Sequence, residues 1–164
     1  MTEKITSEEY QCLTGKTNTG KRGGKDKQDN DLSMLTLIAE LEGIGLKFGG
    51  KWAKGMAAEP STVYLEYPFS AKRKYRADLS IPTERLILEI HGGSWVMRRS
   101  KNGQVQYLGG AHHSPSGRRR DMEKANLANI EGWTYLEVEW KDVKDGSAFE
   151  LIKSALGRDD ASNI

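Results

Sequence analysis

Apolar positions along the chain fall into segments whose period changes from one to the next. Leu32, Leu35, Ile38 and Leu41 or Glu42 recur at helical spacing, with Asp31 or Ser33 as cap and Gly43 as stop, which predicts a helix over 31–43. Further on the period drops to two: Val63, Leu65, Tyr67 and Phe69 alternate with Tyr64, Glu66 and Pro68 and predict a strand. A second strand over 75–80 would turn Tyr75, Ala77 and Leu79 inward and put Arg76, Asp78 and Ser80 together on the opposite face. Leu86-Ile87-Leu88-Glu89-Ile90-His91 is nearly all apolar, the mark of a strand covered on both faces, and Gly92-Gly93 ends it. After a loop rich in Gly, Ser and basic residues come a helix near 119–131, a strand at 134–139 and a closing helix near 147–156. The resulting order, α-β-β-β-α-β-α, is an α/β (α+β) mixed sheet of about four strands flanked by helices.

Residues 14–31 hold Gly, Lys, Asn and Asp with almost nothing to bury, so 1–30 is read as a flexible basic tail. One domain over 31–157 and a flexible end at 158–164 complete the division of the 164 residues. No apolar run approaches the roughly 20 residues of a membrane span. The first residues lack the basic-then-apolar order of a secretory signal, and Cys12 has no second cysteine to pair with. These features imply a soluble, cytoplasmic protein without a membrane partner.

The net charge of +2 is uninformative, but its distribution is not. From Ile90 to Arg120 the six charged side chains are all basic (Arg98, Arg99, Lys101, Arg118, Arg119, Arg120), whereas 121–164 holds ten acidic against five basic residues. A basic side facing a polyanion such as DNA is one reading of that segregation, and a pair of solvated loops is the other.

Glu89 is the physical anomaly of the chain. A carboxylate inside a Leu/Ile run must be neutral, paired or metal-bound, because an uncompensated buried charge is costly. Asp78 lies on the preceding strand, so a hairpin would bring both carboxylates to one edge of the sheet. Hard oxygen ligands of this kind suit Mg²⁺, with Mn²⁺ as substitute, which fills its octahedron with water and phosphate oxygens. The competing reading is a structural ion pair with Arg73 or Arg76.

The ordered set formed by the 66–78 stretch (Glu-Tyr-Pro-Phe-Ser-Ala-Lys-Arg-Lys-Tyr-Arg-Ala-Asp), Leu88-Glu89-Ile90-His91-Gly92-Gly93-Ser94-Trp95, Gly110-Ala111-His112, and Asp121-Met122-Glu123-Lys124-Ala125-Asn126 up to Gly132-Trp133 resembles phage and bacterial PD-(D/E)XK nucleases related to the very-short-patch-repair endonuclease group. The resemblance spans roughly 62–140. It implies a restriction-endonuclease-like core and a Mg²⁺-dependent DNA endonuclease, with metal held by Asp78, Glu89 and the carbonyl of Ile90. The family's lysine, two residues past the glutamate, is His91 here. Lys124, which shares a helix face with Asp121 and Ala128, is the alternative electrostatic helper, with His91 as a metal-water contact or general base.

The resemblance further implies a phosphate contact or general acid at His112, and an acidic residue from the opening helix, Glu42 or Glu40. Arg73, Lys74 and Arg76, like Arg98, Arg99, Lys101, Arg118 and Arg119, are the candidates for DNA contact, or else ordinary solubilising charge. Trp95 and Trp133 read as packing residues. Three departures from the family stand out: His91 for lysine, Ala111 for arginine, and an apparent insertion from Met97 to Leu108, which as a hairpin would reach a DNA groove. The open alternatives are a structure-selective nuclease (a junction resolvase, or a mismatch or nicking enzyme) and a DNA-binding module with a decayed site. Double-strand cutting would call for a homodimer.

Overall fold

A computed structural model describes residues 24–92, 96–99, 105–108 and 115–158. In chain order these are helix α1 (Gly24–Gly43), strands β1 (Lys47–Lys51), β2 (Thr62–Tyr67), β3 (Ala77–Ile81) and β4 (Leu86–His91), the two short strands β5 (Val96–Arg99) and β6 (Val105–Leu108), helix α2 (Pro115–Ile130), strand β7 (Thr134–Glu139), and helices α3 (Trp140–Asp145) and α4 (Ser147–Ala155). The main sheet is mixed, with order β1-β2-β3-β4-β7. β2, β3 and β4 form an antiparallel meander, and β1 and β7 join its two sides in parallel.

The mixed α/β character read from the sequence holds, and the element order is richer. β1 is an additional strand, α3 an additional helix, and β5 pairs with β6 as a separate antiparallel ribbon inside the segment read as an insertion. α1 starts at Gly24, so residues 24–30, assigned to the tail, are helical. Apolar spacing could not reveal that first stretch, because Gly24–Asn30 contains no apolar side chain to set a period.

The two faces of the sheet are covered differently. On one, α1, α3 and α4 bury Met34, Leu37, Ile38 and Leu41 together with Val143 and Ile152 against Val63, Leu65, Leu79, Ile81, Leu86 and Leu88. Within α1 the inward stripe therefore excludes Leu32, which is exposed, and Glu42. On the other face α2 places Ala128 against Ile87, Phe69, Ala77 and Trp133.

The alternation expected for 63–69 breaks at Glu66, whose φ of 56° lies in the left-handed region. Val63 and Leu65 point to the larger cluster, but Tyr67 and Phe69 pass to the α2 side. Ala77 and Tyr75 likewise join the α2 side, apart from Leu79. A tight 3-10 turn, Pro82–Glu84, closed by Arg85 N–H donating to the Pro82 carbonyl at 3.1 Å, connects β3 to β4 and fixes the pairing of Leu79 with Leu88. That turn sets the register of the acidic positions.

Candidate active site

Continuing the β3–β4 register by one residue beyond the Leu79–Leu88 pair sets Asp78 opposite Glu89. Leu88 and Ile90 both lie against the larger cluster, so strand alternation turns Glu89 to the opposite side, beneath α2, and Asp78 is near enough for its charge to act on Glu89. Asp78 Oδ2 accepts a hydrogen bond from the Ile90 N–H at 2.8 Å, which ties the carboxylate to the adjoining strand. β7 extends the same row. In its parallel register Tyr135 lies beside Ile87, Glu137 beside Glu89 and Glu139 beside His91. His91 Nε2 is 3.5 Å from Glu137 Oε1.

α2 supplies the cation. Ala128, fully buried, lets the helix come close to the sheet, and one turn earlier Lys124 reaches down. Its Nζ lies 2.6 Å from Glu89 Oε1, an ionic contact not aligned as a hydrogen bond, and donates to the Arg76 carbonyl at 2.5 Å. Only 14% of the Lys124 side chain is exposed, so this ammonium is withdrawn from solvent.

Electrostatics follow from burial in a crowded acidic row. Burial first, then the charge of Asp78, push the Glu89 carboxyl up to about 7, against the lowering influence of Lys124 and of a backbone contact with Asp78. Asp78 is also raised, by burial above all and by Glu66, with the Ile90 N–H, Lys124 and His91 opposing. Tyr135 is driven far upward, by burial and then by Glu89, Glu137, Asp121 and Asp78 in that order, so its phenol stays protonated at any working pH. A neutral hydroxyl beside these carboxylates can donate a hydrogen bond without adding charge.

The sequence-predicted residues divide accordingly. Asp78, Glu89, Ile90, His91 and Lys124 come together, and Asp121 is close enough for its charge to act on Tyr135. Arg73 and Arg76 are exposed, and neither is engaged as the ion-pair alternative had it. Arg73 pairs with Glu123 at 2.6 Å and Arg76 donates to the Glu66 carbonyl at 2.9 Å. Lys74, Arg118 and Arg119 are exposed.

Glu40 and Glu42 belong to α1, whose helix covers the other face of the sheet, so neither joins the acidic row. Glu42, which the helical spacing put on the stripe, is exposed, whereas Glu40 is half-buried with its carboxyl raised by burial and by Glu150. The helical stripe turns at Leu41, which leaves position 42 outward. Lys101 and His112, and the side chains of Arg98 and Arg99, lie outside the described residues.

Tyr135 and Glu137 were not picked out by sequence. Thr134–Glu139 reads as an ordinary alternating strand, and only its parallel register against β4 brings these two side chains beside Glu89. Among the described residues no group of three His, Cys, Asp or Glu side chains is gathered closely enough to enclose a metal ion. Nor is any described helix long and apolar enough to cross a membrane. Comparison with family models, curated proteins and solved structures finds no match to this chain.

Proposed function

We propose that this protein is a Mg²⁺-dependent DNA endonuclease whose divalent cation is held by Asp78 and Glu89. One observation carries the reading: the carboxylates of Asp78 and Glu89, on adjoining antiparallel strands, lie near enough for their charges to act on each other, and the buried Glu89 is raised to about 7 by desolvation and by its neighbour. Two acids so placed repel each other and resist ionisation, a cost that a divalent cation relieves. The donor set fits Mg²⁺, which takes one or two carboxylates and keeps water and phosphate oxygens in its remaining positions. When bound, such an ion polarises a phosphodiester and lowers the pKa of water.

The chain's own side chains supply the rest. Asp78, tied to the Ile90 N–H, and Glu89, at the centre of the row, orient the charge of the site. The Lys124 ammonium offers positive charge to a phosphate oxygen, the role expected of the motif lysine that His91 displaces. Tyr135, locked in its protonated form, offers a hydrogen bond without adding charge. His91, beside Glu137, is the alternative acceptor of a proton from water. The exposed Arg118 and Arg119 at the start of α2 and the Lys74–Arg76 rim would position the DNA backbone.

A second reading has its own support. Lys124 already neutralises Glu89, and no three-ligand group exists among the described residues, as in a DNA-binding module that has lost catalysis. Incubation of the purified protein with duplex, flapped, mismatched and four-way DNA in Mg²⁺ and Mn²⁺ separates the two. The nuclease reading expects cleavage that Asp78→Asn reduces by about a thousandfold or more. Intact DNA on every substrate, with salt-sensitive binding retained, would establish the module instead.

A further inference from the structure

We propose that Lys124 is a built-in competitor of the divalent cation: its ammonium holds Glu89 when the metal is absent and is released toward a DNA phosphate when the metal enters. This inference rests on the nuclease reading and adds to it an order of events, in which metal and phosphate are taken up cooperatively.

Three observations support it. First, Lys124 Nζ is held by two oxygens at once, Glu89 Oε1 at 2.6 Å and the Arg76 carbonyl at 2.5 Å, in a largely covered position. It is therefore seated on one of the two carboxylates that the cation needs. Second, the balance of charge around it is negative. Asp78, Glu89, Asp121 and Glu137 all act on Tyr135, while Lys124 is the lysine in contact with Glu89, so the row still attracts a cation after the ion pair has formed. Third, the backbone anchor of the lysine is fixed, while its stem can swing the head to a new partner. α2 is pinned one turn away by the fully buried Ala128, whereas the lysine stem has four rotatable carbons and a strongly hydrated head.

A divalent ion bound between Asp78 and Glu89 would stand within a few ångströms of the ammonium, and like charges at that separation repel strongly in a partly desolvated site. One of the two must leave Glu89. The released ammonium then needs a new anion, and a phosphodiester brought to the metal supplies one. Because coupling between two ligands is reciprocal, the metal tightens DNA binding and DNA tightens metal binding, both through this side chain.

Two measurements on the full chain test this. Calorimetric titration with Mg²⁺ and Mn²⁺ in the absence of DNA should show Lys124→Met binding the cation about tenfold more tightly than wild type, within the usual range of coupling between sites. Amine acetylation read by mass spectrometry, on wild-type protein alone, should show Lys124 protected without metal and several-fold more reactive at saturating Mg²⁺. Lys72, whose side chain is 68% exposed, provides the reference. Should Lys124→Met fail to fold, the labelling result decides.

Cation uptake by wild type with no change in Lys124 reactivity, or with no gain in the Met variant, overturns the competition while leaving the nuclease reading intact. Absence of cation uptake by both proteins overturns both.

Discussion

Leu88 and Glu89 are neighbours on one strand, both buried, and they show how differently the two faces of this sheet are built. Leu88 enters an apolar layer shared with α1, α3 and α4, where removal from water is itself the stabilising contribution. Glu89 turns to the α2 side, where burial works against its charge and has to be offset by Lys124. The first face holds the fold together. The second buries a carboxylate whose ionisation burial opposes and Lys124 supports.

The contrast is sharpest in what each residue does to stability. Leu88→Ala should lower the unfolding free energy by about 3 kcal/mol at any pH, through lost burial and a residual cavity. The Glu89 contribution should instead depend on pH. Its carboxyl is raised from 4.5 to about 7 in the folded protein, so the folded state binds more protons than the unfolded chain in that interval. The contribution of this group to stability is thus fully present below pH 4.5, is lost as pH rises toward 7 and is gone above it, by on the order of 1–3 kcal/mol. Asp78 is shifted in the same direction and adds to the slope. Denaturant unfolding across pH 5 to 8, analysed with linear extrapolation, should show that slope in wild type and a smaller one in Glu89→Gln.

A smaller effect probes the edge of the sheet. A Cβ at Gly49 would lie 2.3 Å from Cε1 of Tyr64, a ring held by edge-on contact with Trp52, so it cannot be accommodated without moving β1 from β2. Gly49→Ala should cost about 1–3 kcal/mol in the same unfolding assay, with cleavage by the folded fraction unchanged. Smallest of all is Arg73→Ala. Its pair with Glu123 is exposed on both sides, so the expected loss of stability is below about 0.5 kcal/mol. Any larger consequence should appear only as weaker DNA binding at low salt.

The parts of this picture legible in the sequence are those that break a local pattern. Glu89 interrupts a run of Leu and Ile, Asp78 sits in an alternating segment a hairpin away, and helical spacing puts Lys124 one turn from Ala128. Features that depend on distant pairing were not legible. Tyr135 and Glu137 acquire meaning only from the parallel register of β7 on β4. β1 has two glycines in five residues, a composition with little strand signal of its own, and it forms because Phe48 packs on the apolar layer and the backbone pairs with β2. The turnover of the β2 alternation rests on one backbone angle, that of Glu66, and side-chain periodicity carries no trace of it. Glu42 followed a plausible stripe yet faces outward, because the buried side of α1 is defined by Met34, Leu37, Ile38 and Leu41 rather than by Leu32.

The central claim is that Asp78 and Glu89 together bind one divalent cation, and titration of the protein with Mg²⁺ and Mn²⁺ in a calorimeter tests it most directly. Wild type should show a saturable event of one ion per chain, lost in both Asp78→Asn and Glu89→Gln while each variant remains folded. No uptake by wild type, or equal uptake by all three proteins, would contradict it.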